Sequence, residues 1–313
     1  MTFPASVAAA LVVAVGFGLV ALAPAVLGAR LDDPSPSAAY RWRRAGMGPW
    51  VGLARALGQR RAPTVAADRL LGRTAVVALP VVALLMVALL PLGGLTLADS
   101  PVGLVWFNAL DVMVWALWWL IGWGPNSVYP LIGGYRFLAQ AMSYELPLMF
   151  AITAPAVAAH SLRFADVVAA QRGLWFVVWM PVAFAVFCMG VVGFSLLPPL
   201  SHPGGTDVAG GVGAELTGLA RVLVGAGRYL LLTAGSATAA TMFLGGGAGP
   251  GLPAAVWLVV KTVVVACGLV ALRNVVPIIR ADRFVEVGWL VLIPGTLIQV
   301  LLVSVLVTTG VLP

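Results

Sequence analysis

Eight long apolar segments, separated mostly by short polar loops, dominate this 313-residue chain. Each is long enough to cross the hydrocarbon core of a bilayer, which takes roughly 17–25 residues of helix. Because lipid offers the backbone no hydrogen bonds, such segments fold as helices. The sequence predicts an all-α polytopic membrane protein with about eight transmembrane helices, forming a single integral membrane domain over 1–313. The predicted spans cover about 5–27, 74–92, 102–121, 137–159, 174–197, 216–244, 254–276 and 287–311.

The composition excludes an ordinary soluble domain. Hydrophobic residues make up 61% of the chain, charged residues make up 9%, and the mean hydropathy is +1.04. The two cysteines, Cys188 and Cys267, lie in apolar segments without the spacing of a zinc site or a disulfide framework. The two histidines, His160 and His202, fall in loops with no second ligand nearby. We therefore expect no metal site in this chain.

A basic loop over 28–73 connects the first two predicted spans. Nine of the 18 Lys and Arg residues lie in it, together with Trp42 and Trp50. Nucleic-acid-binding segments can have this composition, but the flanking spans place the loop beside anionic lipid headgroups. We therefore expect membrane lipids as partners and exclude nucleic acid. Apolar residues at helical spacing, opposite Arg55 and Gln59, predict a short amphipathic surface helix. They are Trp50, Val51, Leu53, Ala54 and Leu57.

The distribution of Lys and Arg between alternate loops predicts the orientation. One set of loops carries 14 of the 18 cations, whereas the other set carries two, Arg163 and Arg172. Because the more positive loops stay in the cytoplasm, both termini are expected on the non-cytoplasmic side of the membrane. The expected location is the cell inner (plasma) membrane.

A polar stretch over 122–147 interrupts the apolar pattern at the start of the fourth span. It carries Arg136, Gln140, Ser143, Tyr144 and Glu145. Polar groups in a bilayer core cost several kcal/mol unless they face protein, water or a partner, so such a cluster predicts a functional site. Glu145 either lines a polar cavity that exchanges protons or meets a polar ligand headgroup, or it forms a structural Arg–Glu or Glu–Lys pair between helices. The spacing leaves both interpretations open.

Further ionisable residues fall inside or beside the predicted spans. Asp111 lies in the middle of the third span, where an unpaired carboxylate is costly. We expect it to be protonated or paired, with Lys261 or Arg228 as candidate partners. Arg228 itself is expected to face water or a carboxylate. Glu215 and Asp207 form a second polar patch with Arg228, or Glu215 is simply a solvated helix end.

The sequence predicts no cofactor bound by this chain. No nucleotide-binding glycine motif occurs in a suitable context, so flavin, iron–sulfur and nicotinamide sites are not expected here. The side-chain pattern shows no convincing internal repeat, which gives an inverted-repeat transporter no direct support. A stand-alone ion or solute transporter is an alternative that would account for Asp111, Lys261 and Arg228.

An ordered set of residues fills the stretch 122–147: Gly122-Trp123, Asn126-Ser127, Tyr129, Leu131-Ile132-Gly133, Arg136, Ala139-Gln140 and Ser143-Tyr144-Glu145-Leu146-Pro147. This set resembles a segment of the H subunit of respiratory complex I, the membrane subunit at the quinone-reduction end. Further matches follow in the family's order over most of the chain, and the resemblance implies an eight-helix fold. They include Gly48-Pro49-Trp50, Asp68-Arg69, Asp166, Ala170-Gln171, Met242-Phe243-Leu244-Gly245-Gly246, Lys261, Arg273, Pro277, Arg280, Asp282, Gly288, Trp289 and Pro294.

The chain departs from the family pattern in the loop after the fifth span. In the family this loop is acidic, whereas 195–211 here has lost most of its carboxylates. By the resemblance, Asp207 and Glu215 each stand for a family glutamate, and Arg228 occupies a glutamate position. Because the family uses these acids near the quinone cavity and the proton channel, and an arginine reverses the local charge, the sequence indicates a divergent member with weakened proton coupling.

The resemblance implies a membrane subunit of a complex I-like NADH:quinone oxidoreductase, a translocase. It would contribute to the quinone-binding chamber, and the isolated chain would catalyse nothing. Quinone would be the substrate, and an iron–sulfur cluster and a flavin would lie in partner subunits. The implied quinone-chamber residues are Arg136, Gln140, Tyr144 and Glu145, and the proton-coupling candidates are Asp207, Glu215, Arg228, Asp111 and Lys261.

The implied partners are other membrane subunits and the peripheral arm of such an assembly. The peripheral arm would contact the Arg-rich cytoplasmic side. The loss of the acidic loop leaves a second interpretation open, in which the chain is a non-catalytic membrane anchor of a related oxidoreductase or hydrogenase complex.

Overall fold

A computed structural model describes residues 3–32, 38–59, 64–93, 96–206 and 210–310. Within these ranges the chain consists of helices and loops without a β-strand, which confirms the all-α prediction. The α-helices are α1 (Phe3–Val20), α2 (Leu22–Asp32), α3 (Ala38–Gly58), α4 (Arg69–Ala88), α5 (Gly103–Trp123), α6 (Val128–Ala159), α7 (Phe164–Ala170), α8 (Phe176–Trp179), α9 (Pro181–Ser195), α10 (Gly218–Phe243), α11 (Ala254–Ala271), α12 (Ala281–Val287) and α13 (Ile293–Thr308).

Seven helical segments in the described part are long and apolar enough to cross a membrane. The protein is therefore a multi-pass membrane protein. The predicted span 174–197 differs, because the helix breaks at Met180 and α9 has 15 residues. At 1.5 Å per residue α9 is about 22 Å long, shorter than the roughly 30 Å hydrocarbon core. The seven segments are Ala8–Asp32, Arg69–Ala88, Gly103–Trp123, Val128–Ala159, Gly218–Phe243, Ala254–Asn274 and Ala281–Thr308.

The longest helix, α6, has 32 residues and begins at Val128, before the predicted start at 137. Pro130 lies in its first turn, where a backbone N–H would have no partner within the helix, so the proline is tolerated there. Arg136 therefore lies within the helix, about one turn from Gln140, and not at its entrance. The extension places the whole polar stretch from Arg136 to Glu145 on one rigid element.

Helix α10 occupies the centre of the bundle. It packs against α4, α9, α11 and α3, and every residue from 231 to 243 is buried. Small side chains fill this part of the helix, and a Cβ on Gly235 would meet Val191 and Phe194 of α9. Helices in membranes associate largely through close backbone approach at small residues. The Gly, Ala, Ser and Thr content of α10 therefore explains its central position.

The loops that connect the helices lie at two opposite ends of the bundle. At the first, which we call the basic end, the N–H of Asp68 donates to the carbonyl of Gly124 at 2.8 Å, and the N–H of Gly218 donates to Gln59 Oε1 at 3.2 Å. The amphipathic helix α3 lies at this end and leaves Trp50 and other large apolar side chains exposed. At the opposite end, the loop before α5 meets the segment that follows α6.

The loop between α9 and α10 packs directly on the backbone of α6 at the basic end. Gly133 is the point of contact, because a Cβ there would collide with the backbone of Gly211 and Val212. The N–H of Val212 donates to the carbonyl of Pro203 at 2.9 Å, which holds the loop in place. The described part of this loop is therefore packed tightly against the polar stretch.

We expect Gly133→Val to lower the free energy of unfolding by roughly 1–3 kcal/mol, the usual cost of overpacking. Thermal unfolding in detergent, followed by tryptophan fluorescence, measures the change. Gly268→Val is the matched control, since Gly268 is also helical but a Cβ there meets nothing within 4 Å. Equal melting temperatures for the two variants would contradict the contact.

An ion pair joins the loops at the opposite end. Arg163 Nε donates to Asp99 Oδ1 at 2.8 Å, and its Nη2 donates to Oδ2. The hydrogen bond from Arg163 lowers the pKa of the Asp99 carboxyl from its ordinary value of 3.8. Both side chains are partly exposed, so the pair contributes modestly to stability.

We expect the stabilising effect of Asp99 to depend on pH. Because its pKa is lower in the folded chain, the effect is complete above pH 3.8 and disappears as pH falls through the lowered pKa. Asp99→Asn should therefore melt at a slightly lower temperature than the unsubstituted chain at neutral pH, and at the same temperature in strong acid. A difference that persisted in strong acid would show that Asp99 acts by another route.

Candidate functional site

Helix α6 buries three of the residues that the sequence predicted for a quinone chamber. Gln140 is fully buried, Tyr144 is 1% exposed and Glu145 is 6% exposed. They are buried because α6 packs against α5, α9 and α13. Arg136, one turn closer to the basic end, is half-buried. The polar stretch is therefore enclosed by protein on its Gln140, Tyr144 and Glu145 faces.

Asp111 of α5 lies against Glu145 of α6. Glu145 also faces Asn108, and the Trp115 ring meets the Tyr144 ring edge-on at a centroid distance of 6.5 Å. Residues 108, 111 and 115 share one face of α5 because they recur at helical spacing. We call these five side chains the α5–α6 polar cluster.

The polar atoms of this cluster lack partners of ordinary hydrogen-bond geometry within the described residues. They are Asn108 Oδ1, both carboxylate oxygens of Asp111 and Glu145, Trp115 Nε1 and Tyr144 Oη. Buried polar groups usually have partners, so a group of this kind is typical of a functional site. No three His, Cys, Asp or Glu side chains gather as a metal site in the part of the chain that the structure describes.

Arg136 and Gln140 hold the loop that follows α9. Arg136 Nη1 donates to the carbonyl of Gly210 at 2.7 Å. Gln140 Nε2 donates to the carbonyls of Gly193 at 3.3 Å and Leu200 at 3.2 Å. Both side chains of α6 therefore bind backbone acceptors at or beyond the end of α9, and they fix the loop on the helix.

Arg228 of α10 binds the C-terminal end of α9. Its Nε donates to the carbonyl of Ser195 at 3.3 Å, and its Nη2 donates to the carbonyl of Leu196. The last carbonyls of a helix have no partner within it and carry partial negative charge, so a cation is favourable there. Arg228 is thus a helix-capping residue, and the expectation that it pairs with Asp111 is wrong.

Lys261 of α11 binds the turn that directly follows α10. Its Nζ donates to the carbonyls of Leu244 at 2.6 Å, Gly246 at 2.9 Å and Ala248 at 2.7 Å. The ammonium also lies 4.3 Å from the ring centroid of Trp175, within cation–π distance. Lys261 is 7% exposed and its three donors are all used, so its expected pairing with Asp111 is also wrong.

Glu215 and Arg228 do not form the common patch that the sequence suggested. Glu215 accepts a hydrogen bond from Ser127 Oγ at 3.2 Å, which ties the end of the α9–α10 loop to the start of α6. Arg228 instead faces α9. Asp207 lies outside the described residues.

Two cavities lie next to each other at the basic end. The first, of about 750 Å³, is mainly apolar and opens between α2, α3 and α10. The second, of about 300 Å³, is more polar and lies between the α9–α10 loop, α10 and α11. Asp32 and Tyr229 border both cavities. The larger volume falls within the roughly 300–1,000 Å³ of small-molecule sites.

Charged groups border the polar cavity. Arg228 and Arg273 line it, and Arg273 Nη2 forms an ion pair with Asp32. The hydroxyls of Ser201 and Tyr229 lie on its walls. An aromatic hydroxyl, two guanidinium groups and a carboxylate can thus hydrogen-bond or polarise a carbonyl or an anionic group.

The predicted quinone-chamber residues Arg136, Gln140, Tyr144 and Glu145 line neither of these two cavities. Asp32 and Tyr229 were not among the predicted site residues. A signal was available for Asp32, since it follows the predicted first span and Arg273 lies near the end of the predicted seventh span. Alternation of spans puts both at the same end of the bundle. Tyr229 carried no such signal.

Comparison with known proteins identifies the family. The family model described as NADH dehydrogenase matches residues 46–304. The H subunit of the NADH-quinone oxidoreductase of Geobacillus kaustophilus is 32% identical over 246 residues, covering 77% of this chain and 74% of that protein. The chain belongs to the family of NADH-quinone oxidoreductase H subunits.

Two Geobacter relatives give the same result. The NADH-quinone oxidoreductase H subunit 1 of Geobacter metallireducens is 36% identical over 208 residues, and H subunit 2 of Geobacter sulfurreducens is 37% identical over 209 residues. Each match covers 66% of this chain but just under two thirds of the relative, 63% and 64% respectively. The resemblance inferred from the sequence motifs is confirmed at the level of the H-subunit family.

For this H-subunit family member we expect Lys261→Met to lower the free energy of unfolding by about 3 kcal/mol, because unpaired buried acceptors cost roughly 1–3 kcal/mol each. Thermal unfolding in detergent measures it. Val260→Met, at an exposed position of the same helix, is the matched control and should melt like the unsubstituted chain. A fully stable Lys261→Met variant would contradict the capping role.

Proposed function

We propose that this H-subunit family member forms part of the quinone-binding chamber of a complex I-like NADH:quinone oxidoreductase. Its relatives are named as subunits of NADH-quinone oxidoreductases. The flavin and the iron–sulfur clusters lie in partner subunits, and electrons reach the quinone from there. This chain supplies the membrane-embedded walls of the site.

The observation that carries the proposal is the pairing of an apolar cavity with a polar one. A quinone has a long apolar tail and a compact polar head, and the two adjoining cavities offer each part a matching environment. The walls of the larger cavity on α2 and α10 are rich in Ala, Gly and Leu, which leaves room for a chain of isoprene units. The polar head would occupy the smaller, polar cavity, which Asp32 and Tyr229 separate from the apolar one.

The side chains of the polar cavity can bind and orient a quinone head. The Tyr229 hydroxyl and the guanidinium groups of Arg228 and Arg273 are hydrogen-bond donors, and quinone carbonyl oxygens are acceptors. Donors close to these oxygens also stabilise the negative charge that builds up when electrons arrive. Asp32 can accept a proton from solvent or pass one to the reduced head. The quinone gains two electrons and two protons overall and leaves as quinol.

Arg136 and Gln140 contribute by positioning the wall of the chamber. Gln140 binds the carbonyl of Leu200 and Arg136 binds that of Gly210, and the intervening loop supplies Ser201 and Thr206 to the polar cavity. Their role in quinone binding is therefore indirect. Tyr144 and Glu145 lie in the α5–α6 polar cluster, which we assign to proton coupling.

The basic end provides the expected contact with the peripheral arm and with anionic lipids. Arg55 and Arg221 border the mouth of the apolar cavity, where they can bind acidic headgroups or an acidic protein surface. Under the positive-inside rule this end faces the cytoplasm and both termini face the other side.

We expect Gly225→Phe to block quinone binding. Gly225 lines the apolar cavity, and a Cβ there meets nothing within 4 Å, so the ring should enter the cavity without disturbing the helices. NADH:quinone reductase activity, measured in membranes with varied quinone, should show a KM at least about tenfold higher, equivalent to 1.4 kcal/mol.

Gly268→Phe is the matched control, because Gly268 also faces open space but borders neither cavity. It should keep normal activity. If both variants assemble and turn over quinone normally, the chain is a non-catalytic membrane anchor, the alternative that the capping role of Arg228 favours. Assembly is checked by co-purification of the partner subunits in mild detergent.

A further inference from the structure

The α5–α6 polar cluster contains two acids that are enclosed in the bundle and face each other. Asp111 is fully buried and Glu145 is 6% exposed. Their helices α5 and α6 pack against each other, and the four carboxylate oxygens have no hydrogen-bond partner of ordinary geometry within the described residues. Neither the sequence motifs nor the cavities explain why α5 carries an acid at this position, among Phe107, Trp115 and Trp118.

In the part of the chain that the structure describes, no cation is paired with these two acids. Arg228 binds the end of α9, Lys261 binds the turn after α10, and Arg136 binds the loop at Gly210. The charged residues of the neighbouring helices α7 and α12 are exposed at the ends of the bundle. They are Asp166, Asp282, Arg283 and Glu286. Within the described residues, Tyr144 is the one further ionisable side chain that interacts with both acids.

Two ionised carboxylates cannot satisfy each other, because each offers acceptors and no donor. Their repulsion and the loss of hydration make a doubly charged pair very unfavourable in a low-dielectric interior. A single proton removes both problems. It turns one acid into a donor and creates a short, charge-assisted O–H···O⁻ hydrogen bond to the other.

The neighbouring groups indicate where the negative charge lies. Asn108 can donate its amide hydrogens to Glu145, which it faces, and Tyr144 and Trp115 add an O–H and an N–H to the cluster. Asp111 is the more deeply buried acid and lies among aromatic rings. The arrangement favours a protonated Asp111 that donates to an ionised Glu145.

We propose that Asp111 and Glu145 share one proton and form a two-carboxyl proton-holding site between α5 and α6. This deepens the proton-coupling part of the proposed function and rests on it. Transfer breaks the O–H bond at Asp111 and forms one at Glu145, so no other reactant is needed. Arg228 stays protonated under ordinary conditions and therefore cannot exchange a proton. The Asp111–Glu145 pair supplies an exchangeable proton elsewhere in the bundle.

Infrared difference spectroscopy of the intact complex in lipid nanodiscs tests the pair directly. A protonated carboxyl group has a C=O stretching band that shifts in D₂O, and the unsubstituted complex should show one for this pair. Asp111→Asn should abolish the band, because Asn can donate to Glu145 without a carboxyl proton. Glu145→Gln should shift the band, because Asp111 loses its charged acceptor.

Asp166→Asn is the matched control, since this aspartate is exposed on α7, and it should leave the band unchanged. Asp111→Glu should restore a band and shows that the complex still folds. A band that survives Asp111→Asn unaltered would overturn the proposal. The proposal would also be overturned if the band disappeared when Na⁺ replaced choline, since the pair would then hold a cation.

The proton stoichiometry separates this proposal from the proposed function. Asp111→Asn should lower the number of protons translocated per NADH oxidised, a ratio that is measured at each variant's own rate of quinone reduction. If Gly225→Phe leaves quinone turnover intact but the infrared band behaves as expected, the chamber assignment fails and the proton-holding pair stands. If Gly225→Phe impairs quinone turnover but Asp111→Asn leaves the infrared band unchanged, the chamber assignment stands and the proton-holding pair fails.

Discussion

Backbone carbonyls at the ends of α9 and α10 bind the cations that would otherwise be unpaired within the bundle. Arg228 binds the end of α9 from α10, and Lys261 binds the end of α10 from α11. Each cation therefore comes from the helix that follows. Arg228 binds carbonyls that the end of α9 leaves free, and Lys261 binds carbonyls of the turn after α10. The hydrogen bonds between cation and carbonyls compensate two costs at once, that of a buried charge and that of unpaired buried carbonyls. They also connect the three consecutive helices α9, α10 and α11.

This use of the cations separates positive from negative charge in the bundle. The cations bind carbonyls at helix ends, whereas Asp111 and Glu145 lie together between α5 and α6. The two cavities lie at the basic end and are bordered by α10 on one side. The central position of α10, which follows from its small side chains, thus connects the capping of α9, the packing of the bundle and the wall of both cavities.

Hydropathy and motif order were sufficient for the class, the family and most helix positions. The predicted spans of α4, α5, α10 and α11 lie close to the observed helices, because strongly apolar segments in a membrane have one accessible backbone structure. The start of α6 and the break at Met180 were not predicted. Val128 to Arg136 is helical although it contains a proline and two glycines, since tertiary packing overrides local propensity. Pro181 starts a new helix.

The sequence by itself determined that this chain is a helical membrane protein of the H-subunit family, and that an enclosed polar stretch lies on its fourth span. Those conclusions rest on segment length and residue order, which the linear chain records. Only the tertiary structure decided the partners of the buried charges. Spacing along one helix cannot show which face another helix presents. Helix packing therefore decided the carbonyl partners of Arg228 and Lys261, the contact of Asp111 with Glu145, and the position of Asp32 and Tyr229 between the two cavities.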